Sequence, residues 1–163
     1  MTTERTREER LAALREARVV LVSACLLGEA CRYDGKSKGS TPVMRALEGK
    51  EVVPVCPETG AGLGIPRPAV ELRGGTGEAV LAGRARAVVA ATGEDRTAEF
   101  RYGAELALEA VRRFGVTVAV LKERSPSCGS HGTHVDGAVV QGRGVTAALL
   151  HSAGVIILSD EEL

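Results

Sequence analysis

The sequence predicts an α/β domain built on an open, mostly parallel sheet with helices packed against it. Two observations carry that prediction. Short continuous apolar runs recur at residues 19–24, 116–121 and 155–158, and unbroken runs of this length mark strands buried on both faces. Between them lies helical periodicity: Phe100, Ala104, Ala107, Val111 and Phe114 recur at intervals of four and three, which draws one apolar stripe along a helix. Strands alternating with helices favour parallel pairing, and 163 residues suit one such domain with a single core.

Taken in order, residues 3–17 predict a short amphipathic helix with Leu11, Leu14 and Ala17 on one side of a charged cylinder. Residues 1–18 then form a charged helical extension, docking weakly on a single domain that spans residues 19–163. The first core strand opens at Val19 and gives way to Cys25-Leu-Leu-Gly28 and a polar loop through Gly39. Thr41 and Pro42 predict a helix start, with Thr as N-cap and Pro in the first helical position, and Gly49 ends it. The second strand, Glu51–Val55, runs straight into Cys56-Pro-Glu58. Its Pro54 has no N–H to give to a ladder, so this strand belongs at a sheet edge.

Residues 59–77 are rich in Gly and Pro and read as an irregular loop, longer than a connection requires; such loops often carry function. Residues 80–91 read as one or two strands. The striped helix starts at about Asp95 or Thr97 and is stopped by Gly115. After the strand at 116–121 comes Lys122-Glu-Arg-Ser-Pro-Ser-Cys128-Gly, then a Gly- and His-containing loop and a short strand at 138–140. A helix at 145–152, capped by Gly154, precedes the last strand at 155–158. The whole pattern is Rossmann-like, with no internal repeat.

Composition excludes several function classes. Hydrophobic residues make up 44% of the chain, which is globular rather than disordered composition. Aromatic residues are only 2%, too few for the stacking platforms of single-stranded nucleic-acid binders. Lys and Arg balance Asp and Glu at 21 each, which gives no electrostatic case for duplex DNA or an acidic membrane. No stretch approaches the roughly 20 apolar residues of a membrane span, and residues 1–18 lack the apolar segment of a secretory signal. A cytoplasmic location is expected. In that compartment four cysteines are metal ligands, a catalytic thiol or packing residues rather than disulfides.

Cys25, Cys56 and Cys128 each follow the carboxyl end of a predicted core strand. Parallel sheets gather those ends along one edge, where ligands bind. Residues 31 and 72 positions apart can thus converge without a local CxxC motif. Soft thiolates select zinc, copper(I) or iron–sulfur clusters, and spacing does not separate these. Three thiolates leave one metal position without a protein ligand, the mark of chemistry rather than scaffolding. The alternative is that they are buried small hydrophobes. Their neighbours argue against it: each cysteine brings turn-forming residues and a group able to move a proton, such as Asp34, Glu58 or Ser125.

The stretches Val22-Ser-Ala-Cys-Leu-Leu-Gly28, Cys31-Arg-Tyr-Asp-Gly35, Val55-Cys-Pro-Glu58, Leu121-Lys-Glu-Arg-Ser-Pro-Ser-Cys-Gly129 and Gly142-Arg-Gly-Val-Thr-Ala147 occur in this order. With Pro66-Arg-Pro68, Glu71 and Gly103-Ala-Glu105, they resemble the bacterial family known as domain of unknown function 523, which includes 2-thiouracil desulfidase. The resemblance runs from about Val19 to the end of the chain. It implies a cubane [4Fe-4S] cluster on Cys25, Cys56 and Cys128, with a fourth iron left for the sulfur of a thiocarbonyl substrate. It also implies non-redox hydrolysis, releasing the oxygenated base and sulfide. Iron polarises C=S as a Lewis acid; Glu58 and Asp34 are the candidates for acid–base work, and Ser125 for hydrogen bonding near the sulfur. The substrate is then a small thiolated molecule, with no nucleic-acid or membrane partner. One departure lies near the site: relatives usually carry an aromatic residue before Asp136-Gly137, where this chain reads Thr133-His-Val135.

Other features have competing readings. Cys31 is a ligand in place of Cys25, a sulfur-handling thiol, or a loop residue. His131 and His134 are potential metal ligands or ordinary polar loop residues, and His151 is structural. Arg67 and Glu71 either bind substrate or pair with one another to hold the Pro-rich loop. Residues 93–97 read as helix capping, since Glu94 and Asp95 make a poor anion site. Gly60, Gly62 and Gly64 lack the spacing of a dinucleotide loop. Two rival functions remain beside the desulfidase: a metal-free thiol enzyme using Cys128 or Cys31, and a zinc-stabilised binding module.

Overall fold

In the computed structural model, which describes residues 4–36 and 39–163, two four-stranded sheets share the core. The first is the parallel sheet that the apolar runs predict. Its strands are β1 (Val19–Ser23), β2 (Glu51–Val55), β5 (Val118–Leu121) and β8 (Ile156–Ser159), in the order β2-β1-β5-β8. All three pairings are parallel, with Val22 opposite both Pro54 and Val120. Strand β2 lies at the edge, where Pro54 withholds no ladder bond.

The second sheet is foreseen only in part, since the sequence predicts strand within 80–91 and at 138–140 but neither of the strands they pair with. It comprises β3 (Val70–Arg73), β4 (Arg86–Val89), β6 (Gly132–Val135) and β7 (Ala138–Gln141), in the order β4-β3-β6-β7. Strand β3 falls inside the expected loop at 59–77, and β6 inside the expected Gly/His loop. Each is four residues long and carries one buried apolar side chain, Leu72 or Val135, too few for a visible alternation. Residues 80–91, expected to hold one or two strands, open with the end of helix α4 (Gly77–Leu81) and hold the single strand β4.

Helices cover both faces of the parallel sheet. On one side α1 (Arg7–Glu16) and α2 (Thr41–Ala46) pack over Val20, Val22, Val118 and Val120 through Leu14 and Val43. On the other, α5 (Thr97–Phe114) and α6 (Val145–Ser152) pack over Leu21, Ala119 and Leu121 through Ala107, Val111, Ala147 and Leu150. The stripe on α5 also serves the second sheet, because Phe100 and Ala104 bury against Leu72, Ala87 and Val135. One helix face therefore fixes the two sheets relative to each other.

Capping departs from expectation at α2 and follows it at α5. Ser40, not Thr41, caps α2 by accepting a hydrogen bond from the Val43 N–H at 3.3 Å. At α5, the Asp95 carboxylate accepts from the Thr97 N–H at 2.8 Å, and Gly115 in the left-handed region ends the helix. Helix α1 is held firmly rather than weakly. Thr6 and Glu9 form a capping box, Leu14 is buried, and Arg10 clasps both carboxylate oxygens of Glu162 at 2.7 Å.

Gly103 on α5 lets the short helix α3 (Pro57–Gly60) approach so closely that a Cβ would lie 2.3 Å from the Pro57 carbonyl oxygen. Gly103→Ala is expected to destabilise the fold by about 1–3 kcal/mol through this overpacking, read as a lowered Tm in a thermal melt. An unchanged Tm would show that the turn after Cys56 moves aside freely.

Candidate active site

Loops from one edge of the parallel sheet and a wall from the second sheet enclose a cavity of about 560 Å³, lined by all four cysteines. That size suits a small ligand or cofactor. Cys25 lies in a 3₁₀ turn, Ala24–Leu27, directly after β1, and Gly28 at φ 95° closes the turn by donating its N–H to the Cys25 carbonyl at 3.2 Å. Cys56 follows the last residue of β2 and starts α3, with Pro57 in the first helical position. Cys128 lies beyond β5 in a tight loop. There Ser125 Oγ accepts from the Ser127 and Cys128 N–H groups at 3.1 and 3.0 Å. Gly129 lets this loop fold on itself: a Cβ there would lie 2.2 Å from the Gly132 carbonyl oxygen. Buried Ser23 ties two strand ends together, its Oγ accepting from the Lys122 N–H at 2.9 Å.

The thiols sit where a charge is hard to hold. Burial, then the neighbouring Cys56, pushes the Cys25 thiol up to about 11. Burial and Cys56 likewise push Cys31 up to about 12. Burial pushes Cys128 up to about 12, although a hydrogen bond with Ser23 pulls the other way. Activated cysteine nucleophiles occupy the opposite environment, electropositive and partly exposed. A bound metal reverses the balance, because its charge deprotonates coordinating thiols outright.

The predicted acid–base and binding residues separate in space. Glu58 and Arg67 line the cavity together, with Arg67 Nε 3.3 Å from Glu58 Oε1. Burial raises the Glu58 carboxyl, and the Arg67 guanidinium opposes that rise. Arg67, whose side chain is only 6% exposed, also donates to the carbonyls of Cys31 at 3.0 Å and Gly64 at 3.1 Å. It therefore pairs with Glu58 and not with Glu71. Glu71 lines the opposite wall, where it binds Arg73 Nε at 3.0 Å and accepts from the Gly137 N–H at 2.8 Å. Ser125 lines the cavity too. Asp34 is not brought there: it is exposed, and its carboxylate accepts from the Lys36 N–H at 3.0 Å in a local turn.

Cys31 is buried beside the other thiols, and its carbonyl lies 3.7 Å from Cys56 Sγ. His134 lines the cavity, whereas His131 stands outside that lining, its Nδ1 3.3 Å from Glu123 Oε2. His151 lies on α6, 4.0 Å from Glu4.

Glu123 is the functional residue that the sequence reading passed over, because between Lys122 and Arg124 it looks like part of a charged run. Its Oε1 accepts from the backbone N–H groups of Ser130, His131 and Gly132, each at 3.0 Å. Burial alone raises a carboxyl, yet these donors, with the Ser159 hydroxyl and the Arg124 N–H, pull Glu123 down to about 2. One anion thereby organises the loop that carries Cys128. The only signal in the sequence was its position, at a strand end before a Ser/Gly-rich loop.

The family model for 2-thiouracil desulfurase matches residues 20–162. The chain belongs to this family. A relative of Bacillus subtilis (strain 168), named uncharacterized protein YbbK, is 42% identical over 149 residues, covering 89% of this chain and 97% of that protein. A solved structure described as a [4Fe-4S]-dependent thiouracil desulfidase, TudS (DUF523Vcz), superposes with a TM-score of 0.76 at 41% identity, covering 90% of this chain and 93% of that one. The resemblance to the domain of unknown function 523 family is thus confirmed, and so is the α/β fold with its parallel sheet.

The donor set of this 2-thiouracil desulfurase family member fits an iron–sulfur cluster. Among the described residues no three His, Cys, Asp or Glu side chains are set to grip a single metal ion. A cubane makes a different demand, since each thiolate holds its own iron and the thiols must border a cavity rather than meet at a point. Thiols from three separate loops around about 560 Å³ meet that demand.

Glu123 has its own test. Its folded pKa lies below the unfolded value of 4.5, so its contribution is fully present above about pH 4.5 and is lost as pH falls toward 2. Glu123→Gln is expected to lose on the order of 3 kcal/mol at neutral pH, in urea unfolding followed across pH. The variant's stability should also be flatter than wild type between pH 4.5 and 2. Parallel pH profiles for the two proteins would show that the carboxylate does not hold this loop.

Proposed function

We propose that this chain is a [4Fe-4S]-dependent desulfidase that hydrolyses C=S to C=O in thiolated nucleobases or similar small molecules and releases sulfide. The observation that carries the reading is the convergence of Cys25, Cys56 and Cys128 with Glu58 and Ser125 in one cavity. Its membership of a desulfurase family and its 41% identity to a [4Fe-4S]-dependent relative support it. The raised thiols of Cys31 and Cys128 speak against the metal-free thiol enzyme.

When bound on Cys25, Cys56 and Cys128, the cluster supplies a Lewis-acidic iron without a protein ligand for the substrate's sulfur. The chain's own residues do the rest. Glu58 takes a proton from water so that its oxygen attacks the thiocarbonyl carbon, and Asp34, outside the cavity, has no part in this. Arg67 holds the Glu58 carboxylate in place through the 3.3 Å contact. Ser125 Oγ accepts two backbone N–H groups and so has its own proton to offer the departing sulfur. Water supplies the oxygen, sulfur leaves as sulfide, and the carbon keeps its oxidation state.

The substrate is a free small molecule, in keeping with the 2% aromatic content and balanced charge. Among the described residues no helix is long and apolar enough to cross a membrane. Action in the cytoplasm, where thiols stay reduced, completes the proposal.

Protein prepared without oxygen is expected to be brown, with about four irons per chain. Cys25→Ala, Cys56→Ala and Cys128→Ala should each lose the colour and iron, while Cys31→Ala keeps both. Glu58→Gln should keep the cluster and release sulfide from thiouracil at least about a hundredfold more slowly. Colourless wild type that takes up no iron on reconstitution would sink the proposal, and stoichiometric zinc without sulfide release would favour a binding module.

A further inference from the structure

His134 lines the cavity and takes no part in the chemistry proposed for it. His134 sits on β6 between Thr133 and Val135, both buried, so the pleat turns its ring to the opposite face, where it lines the cavity. Its Nδ1 is 2.7 Å from the Arg124 carbonyl oxygen. A carbonyl only accepts, so Nδ1 carries the proton and Nε2 of the neutral ring is a bare acceptor. This arrangement is built rather than incidental. Arg124 has φ 65°, a left-handed conformation unusual for a residue other than glycine. Arg124 is pinned there by a bridge to Thr133 and an ion pair between its guanidinium and Glu161.

The carboxylates around the cavity already have partners. Glu58 is held by Arg67, Glu71 by Arg73 and the Gly137 N–H, and Glu123 by its own loop. Nε2 of His134 has no protein partner among the described residues.

We propose that His134 is a specificity residue, its Nε2 accepting a hydrogen bond from a ring N–H of the substrate. The site then takes cyclic thioamides, in which C=S stands beside N–H, in preference to thiocarbonyl compounds without that proton. This rests on the desulfidase reading of the site and names its substrate class.

Two measurements test it. In the cluster-free full chain, two-bond ¹⁵N–¹H correlation of the imidazoles should show, for the histidine whose signals vanish in His134→Gln, Nδ1 protonated and Nε2 bare. In cluster-loaded enzyme, His134→Leu should lose about tenfold in kcat/KM for 2-thiouracil, the worth of one neutral hydrogen bond. The same variant should lose nothing with doubly N-methylated thiouracil, and His134→Gln, whose amide oxygen accepts, should retain most of the wild-type preference. Iron content serves as the control for all three proteins.

A His134 proton on Nε2 overturns the proposal, as does an unchanged substrate preference in His134→Leu. Should loaded wild type release no sulfide from any thiobase, the desulfidase reading falls and this inference with it. The tautomer measurement tells that failure apart from an error in the His134 geometry.

Discussion

Parallel pairing of β1 with both β2 and β5 is the constraint on which the site depends. It sends three chain segments out of the sheet at one edge and in one direction. Cys25 and Cys56 follow their strands at once, while Cys128 reaches the same cavity through a loop that needs further support. That support is local and polar: the Ser125 hydroxyl and the Glu123 carboxylate together receive most of the loop's inward-facing N–H groups. A loop so held keeps its thiol in place without needing an apolar anchor of its own.

The electrostatics follow from this packing. Each buried carboxylate around the cavity has its own donors, Glu58 the Arg67 guanidinium and Glu123 a set of backbone N–H groups; at Glu123 the donors outweigh burial, and at Glu58 burial outweighs them. At Cys25 and Cys128 burial outweighs every opposing contact and pushes both thiols up. A cationic group bound between them would relieve that burial penalty, whereas a free nucleophile would suffer from it. The surroundings that suppress thiol reactivity are therefore those that suit metal ligation.

Much of this was legible in the sequence, and the parts that were not share a cause. Strands β1, β5 and β8 announce themselves because both faces are buried and every position but the closing Ser23 and Ser159 is apolar. Helix α5 does so because eighteen residues give its stripe room to repeat. Strands β3 and β6 were hidden: four residues leave no period to read, and their pairing with β4 and β7 is decided by the core beneath α5. The cysteines stood out by residue type alone. Glu123 did not, since what sets it apart is a set of backbone donors seven to nine residues away, a relation made by the loop's path. Asp34 failed in the converse way, sharing a motif with Cys31 while its own turn points it away from the cavity.

The two sheets divide the work. The parallel sheet supplies the thiols together with Glu58 and Ser125, all on loops fixed by its strand ends. The mixed sheet supplies the facing wall, with Glu71 from β3, His134 from β6 and Gly137 from the turn that follows. Helix α5 packs against both through one stripe, so the distance between chemistry and wall is set by Phe100, Ala104, Ala107 and Val111 rather than by the loops. Substitutions on the wall can then alter which molecule fits while the thiols stay in register. In the proposed desulfidase, such separation lets one scaffold serve different thiolated substrates, and it places the chain's own departure, the segment around His134, on the wall rather than among the thiols.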